Sequence, residues 1–267
     1  MDEARELLEA YNRKIVSVYI EHELSPLSGH DGSYLLSNGK ALFSWESEIT
    51  RHRNCHYDGN PSISRFNYMH LLDDILLCSD EILYFTAQLF LYRPYINNPL
   101  RNSINTNTGT AFFPVIVNTA TRRYQMFTNV CYEKVYNFWD RIGDLIASYF
   151  PSIFTGHIYF GNVIDRLERQ YSGNADFAWL LDFKKNHYVK YNEERIKSVH
   201  NISLATEQKW KQLGHVTDEE KTRELVELIQ GYPEQFRDMH NLSKEGVVKA
   251  LSFLEFLNGE LGYACPE

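Results

Sequence analysis

From Tyr132 to Phe150 the apolar side chains Val135, Phe138, Trp139, Ile142, Leu145, Ile146, Tyr149 and Phe150 recur at steps of three and four, and Pro151 follows. That spacing lays one apolar stripe along a helix, which the proline ends. A second candidate helix runs from about Ser62 to Tyr92, with Phe66, Met69, Leu72, Ile75, Leu76, Ile82, Leu83, Phe90 and Leu91 on adjoining faces, and breaks before Arg93-Pro94. Further helices are expected at about 3–22, 115–131 (leading into the clear one), 159–171, 176–200, 217–230 and 243–260, the last carrying Val247, Val248, Leu251, Leu254 and Leu257. Strand signals are weak. Ser25 to Gly59 contains Gly29, Gly32, Gly39 and Gly59 without a sustained helical period and reads as a long irregular loop near 25–60. The expected fold is all-α: a bundle of long antiparallel helices forming a single domain over 1–267.

Charge narrows the function classes. The 267 residues carry 27 Lys and Arg against 35 Asp and Glu, a net charge of −8. That balance argues against a surface that clamps duplex DNA or an anionic membrane as a whole. Cys55, Cys78, Cys131 and Cys265 form no Cys-x-x-Cys pair, and the acidic start Met1-Asp2-Glu3-Ala4-Arg5-Glu6 lacks the basic region of a secretion signal. A reduced, cytoplasmic protein is expected. Ile75–Leu91 is interrupted by Asp80, Glu81 and Gln88, so no membrane span is expected.

Metal and nucleophile motifs are sparse. No Glu-x-x-His pair of the di-iron type occurs. His30, His52, Cys55 and His56 have zinc-type chemistry, but Arg51 and Arg53 beside them oppose a cation. His70 with Asp73 and Asp74 is a helical-turn pair without a third ligand. Gly-x-Ser-x-Gly, the P-loop and Gly-x-Gly-x-x-Gly are all missing. The 18 Tyr and 16 Phe fall largely in stripes at helical spacing, which points to core more than to base stacking.

What stands out is Lys184 to Lys197, with five Lys or Arg against two Glu, followed by His200 and Asn201. Within it lies Arg195-x4-His200. Arg51–His56 and Arg65–His70 share the spacing, but only Arg195–His200 follows several long helices. This motif in that position resembles the signature of the HEPN superfamily, and Tyr132 to Ile146 is similar to the long helix that precedes it in some HEPN families. The resemblance covers about 60–205, leaving 206–267 as a C-terminal helical extension. It implies a metal-independent endoribonuclease or RNA-binding protein of a defence or toxin–antitoxin system, with no cofactor. It also implies a homodimer in which two motifs face one another, with an antitoxin protein as a possible partner. Catalytic members usually carry a polar residue after the arginine, where this chain has Ile196.

The residue types suit the chemistry. RNA cleavage without metal uses the 2′-hydroxyl as nucleophile: a neutral imidazole at His200 takes its proton, and the guanidinium of Arg195 holds the charge that builds on the phosphate oxygens. Asn201, Asn192, Tyr191 and Lys197 are the candidates for binding the substrate. Residues five apart on an ideal helix are rotated by about 140°. Either a helix starts between Arg195 and His200, therefore, or two chains contribute to one site. The alternative function is a catalytically inactive helical module that binds a protein or a nucleotide.

Overall fold

A computed structural model describes residues 2–27, 68–150, 153–154, 157–200 and 202–260. The irregular loop expected near 25–60 lies almost wholly outside these residues, as do His30, His52, Cys55 and His56. The chain is all-α. Among the described residues the helices are, in order, α1 (Asp2–Glu21), α2 (Tyr68–Tyr92), α3 (Thr119–Ala147), α4 (Phe160–Tyr171), α5 (Ala175–Phe183), α6 (Val189–His200), α7 (Leu204–Gly214), α8 (Glu219–Gln230) and α9 (Tyr232–Glu260). A two-stranded hairpin pairs β1 (Ile104–Asn105) with β2 (Ala111–Phe112), antiparallel, in the loop before α3. By length and composition alone α2 would cross a bilayer, but half of its apolar window is buried inside the protein.

Three sequence expectations change. The clear helix does not reach Phe150: Ser148, Tyr149 and Phe150 close a turn through Tyr149 N–H to Ile146 O (3.1 Å) and Phe150 N–H to Ala147 O (2.9 Å). Pro151 disfavours the α conformation at the residue before it, so the last turn tightens. The final helix starts at Tyr232 rather than near 243, because Pro233 falls in its first turn, where a missing amide hydrogen costs nothing. Between α7 and the sequence reading there is no correspondence at all. Ser203 caps that helix, its hydroxyl accepting from Thr206 N–H.

The contacts divide the chain into two compact units. Met1–Leu24, Ile82–Glu133 and Glu193–Met239 form the first, and Ser25–Glu81, Lys134–Asn192 and His240–Glu267 the second. In the first unit the C-terminal half of α1 packs Ile15 and Val18 against Leu83, Ala87 and Phe90. Glu23 at φ 55° turns the chain out of α1. The closing bonds, Leu24 N–H to Tyr19 O (2.8 Å) and Glu23 N–H to Ile20 O, are those of a Schellman motif, and Leu24 is buried beneath it.

The second unit is built around Trp139, which is fully buried and stacks on Phe183 with ring centroids 3.7 Å apart; Phe160 lies at 4.9 Å. The phase of the helical stretch from Ala175 to His200 follows from its core residues. Phe177, Leu180, Phe183, Tyr188 and Tyr191 are buried, at steps of three, three, five and three. A step of five does not fit an α-helix, and Lys184–Tyr188 winds as a π-helix that absorbs the extra residue. Asp140 anchors this corner: its Oδ1 accepts from Tyr188 OH (3.0 Å) and from Phe160 N–H (3.2 Å) at the start of α4.

A buried histidine in the same unit gives a pH dependence. His240 lies within 2.9 Å of Ser79 Oγ through Nε2, and burial, with Lys244 nearby, lowers its pKa from 6.5 to about 3. Between those values the unfolded chain binds a proton that the folded one refuses. His240 therefore lowers stability as pH falls below about 6.5, at up to about 1.4 kcal/mol per pH unit. Chemical denaturation at pH 7.5 and pH 4.5 is expected to differ by about 2–3 kcal/mol more in wild type than in His240→Gln.

Candidate functional site

The motif sits on α6, which runs unbroken from Val189 to His200. Arg195 and His200 therefore share one helix, and ideal geometry sets them about 7.5 Å apart along its axis and about 140° around it. The first of the two ways to bring them together, a helix beginning between them, does not apply. The side chain of His200 and all of Asn201 lie outside the described residues.

The other named residues separate by environment. Tyr191 and Asn192 belong to the second unit; Arg195 and Lys197 belong to the first. Tyr191 is only 6% exposed and packs its ring against Phe183 (6.0 Å) and His187 (6.3 Å), so it serves the core. Asn192 and Arg195 are half-buried, and Ile196 is exposed. Lys197 reaches Glu194 Oε1 at 2.6 Å, and that carboxylate holds its ammonium above the usual lysine range.

The basic island is less basic than its sequence. Lys184 pairs with Asp165, Lys185 with Glu168 at 3.0 Å, and Lys197 with Glu194. Of the five cations read from the sequence, three are thus paired with carboxylates, two of these supplied by α4. Exposed pairs of this kind are worth little as stability, but they cancel the field that would draw a phosphate. The depression beside Lys197, bordered by Tyr132, Glu194, Ile202 and Glu207, has a volume of only about 10 Å³. A nucleotide does not fit there within one chain.

Elsewhere in the first unit a larger space opens at the N-terminal end of α3, a feature the sequence reading missed. It is a cavity of about 280 Å³ walled by the Ile96–Pro99 and Val115–Val117 segments, α7 and the C-terminal end of α8. The carbonyl of Gln208, a residue only 4% exposed, accepts from Gln125 Nε2 at 3.1 Å. Its own Nε2 donates to Tyr232 OH at 3.1 Å. Tyr124 OH donates to Ile229 O at 2.6 Å. No sequence motif marks these glutamines, and α7, which carries Gln208 and Gln212, was itself not expected.

An all-α chain with Arg-x4-His on a late helix resembles the HEPN proteins, a superfamily of nucleases and RNA-binding proteins. The chain matches the Cthe2314-like HEPN family over residues 98–255, more than half its length, and is a member of it. The matched region includes α6 and extends past 205 into α9. No curated protein and no solved structure matches the chain.

Proposed function

We propose that this HEPN protein is a metal-independent endoribonuclease acting as a homodimer, with Arg195 of one chain and His200 of a second copy meeting on one phosphate. The observation that carries this reading is the unbroken course of α6 through both residues, which turns them to different sides of one helix. The shallow surface beside Lys197 supports it, since a second chain would supply the missing wall of a cleft. His200 takes the proton of the 2′-hydroxyl, the 2′-oxygen attacks phosphorus, and the 5′-oxygen leaves with a proton from water or from the protonated imidazole. The products are a 2′,3′-cyclic phosphate and a 5′-hydroxyl, and Arg195 balances the charge on the phosphate oxygens. Asn192, Asn201 and Lys197 would bind the flanking backbone. A cytoplasmic defence or toxin–antitoxin system, with an antitoxin protein covering the motif, is the proposed setting.

The ion pairs at Lys184, Lys185 and Lys197, together with Ile196 after the arginine, favour a second reading: an inactive helical module that binds a protein or nucleotide. Cleavage of a mixed RNA substrate in excess EDTA separates the two. Wild type is expected to cut, and Arg195→Ala and His200→Ala to lose cleavage. An inert wild type, or cutting that survives both substitutions, selects the inactive module.

A further inference from the structure

We propose that the first unit holds a nucleotide-binding site at the N-terminal end of α3, apart from the Arg195–His200 motif and independent of the nuclease reading. It has two chambers. The larger, about 280 Å³, is close to the lower end of the roughly 300–1,000 Å³ typical of small-molecule sites. Its walls are aliphatic, with Ile96 and Val117 facing it from the loops and Val226 and Ile229 from α8. Its polar groups are mainly amides: Gln125 from α3, and Gln208 and Gln212 from α7. The orientation of these amides is set in advance, because Gln125 Nε2 donates to Gln208 Oε1 (3.1 Å) and Gln212 Nε2 donates to Pro114 O (3.0 Å). Each amide has further donor and acceptor capacity.

The smaller chamber, about 180 Å³, shares Ile96 and Gln230 with the larger one and is lined by Arg93, Asn98 and Arg101. Arg93 is held in place by Glu234 Oε1 at 2.5 Å and lies over the Phe90 ring at 5.1 Å. Glu234 offsets its charge, so the exposed Arg101 supplies the net positive charge there. Arg122 and Lys209, both exposed, border the larger chamber. In a chain of net charge −8, four cations border these chambers and, among the described residues, no carboxylate lines either.

The combination selects a ligand. An acyl chain would fill the aliphatic slot but leave the amides unmatched, and a bare anion would leave the slot empty. A flat ring with a hydrogen-bonding edge satisfies both walls and amides, since glutamine offers a donor and an acceptor side by side to a base edge. A phosphate attached to that ring reaches the arginines. The ligand class is therefore a nucleotide, either free or at the end of an RNA strand.

The test is equilibrium binding by calorimetry of AMP, GMP, CMP and UMP, their nucleosides, inorganic phosphate, and a tetranucleotide RNA with and without a 5′-phosphate. At least one mononucleotide is expected to bind, with its nucleoside about tenfold or more weaker. Arg101→Glu, a surface change that leaves the core intact, is expected to weaken binding about tenfold or more, and Ala205→Trp to block the larger chamber. Tighter binding of the 5′-phosphorylated tetranucleotide than of the mononucleotide assigns the site to RNA ends; the reverse order assigns it to free nucleotides. Cleavage by wild type is read separately, in the RNA assay with excess EDTA, so failure of the nuclease reading and failure of this site are told apart. No binding by any nucleotide, or binding unchanged in both Arg101→Glu and Ala205→Trp, overturns the proposal.

Discussion

Co-expressed Arg195→Ala and His200→Ala chains are expected to regain about a quarter of wild-type RNA cleavage, although each variant alone is nearly inert. Removing a general base at His200 is expected to cost about 10²–10⁴-fold, and removing the charge at Arg195 about 10²–10³-fold. In a two-fold dimer each site takes its arginine from one chain and its histidine from the other. A homodimer of either variant then has two damaged sites. A mixed dimer has one site lacking both residues and one lacking neither. Random pairing makes about half of the dimers mixed, each with one site of two restored, hence about one quarter. Recovery would place Arg195 and His200 on different chains, as their positions on α6 suggest. Mixtures that stay as inactive as their components would mean that each chain supplies both residues, and the dimeric arrangement would fall. Nickel-tagged capture of one variant followed by capture of the other isolates the mixed dimer for the assay.

The second large effect concerns Trp139 and the glycine that admits it. A Cβ built on Gly246 would lie 2.1 Å from Trp139 Cη2, at the edge of an indole that is already stacked on Phe183 at 3.7 Å. Glycine inside α9 costs about 1 kcal/mol relative to alanine, so on helix propensity alone Gly246→Ala would stabilise the protein. The opposite is expected here. Overpacking should exceed that gain and leave Gly246→Ala destabilised by about 1–3 kcal/mol, with Gly246→Val worse. Trp139→Ala is expected to cost about 3–5 kcal/mol through the cavity it leaves. Urea denaturation reads each value. The decisive comparison is Gly246→Ala combined with Trp139→Leu, whose cost should be smaller than the sum of the two single costs, since the smaller side chain makes room for the methyl group. Strict additivity would show that the two residues do not share the space described.

Gly143 follows the same logic at the start of α4. A Cβ there would meet the Phe160 backbone at 2.7 and 2.8 Å, so α3 and the first residue of α4 can touch only because the side chain is absent. The role of both glycines is invisible in a one-dimensional reading, which registers glycine inside a helix only as a weak point.

Periodicity made the helices legible, because an apolar residue every three or four positions is a property of neighbours along the chain. Val135, Phe138, Trp139, Ile142, Leu145 and Ile146 all proved buried, and the resemblance to HEPN proteins rested on two residue types at one spacing. The helix ends were less legible where two local rules competed. Pro233 reads as a breaker but sits where a helix tolerates it, and Ser243 resembles a cap but is buried within α9.

The sequence by itself determined the all-α class, the membership in the HEPN superfamily and the residue types of the motif, all of which depend on local order and spacing. Tertiary structure decided which of those residues face solvent and which charges survive. Tyr191, nominated for substrate, went to the core because the π-turn at Lys184–Tyr188 brought it into line with Phe183. Three cations of the basic island met carboxylates, two of them on α4, and the cavity at α3 gathered Ile96, Gln125, Gln208 and Ile229 from distant parts of the chain. The physical reason is the same in each case: burial and pairing depend on which faces meet, and residues separated by a hundred positions carry no local signal of meeting.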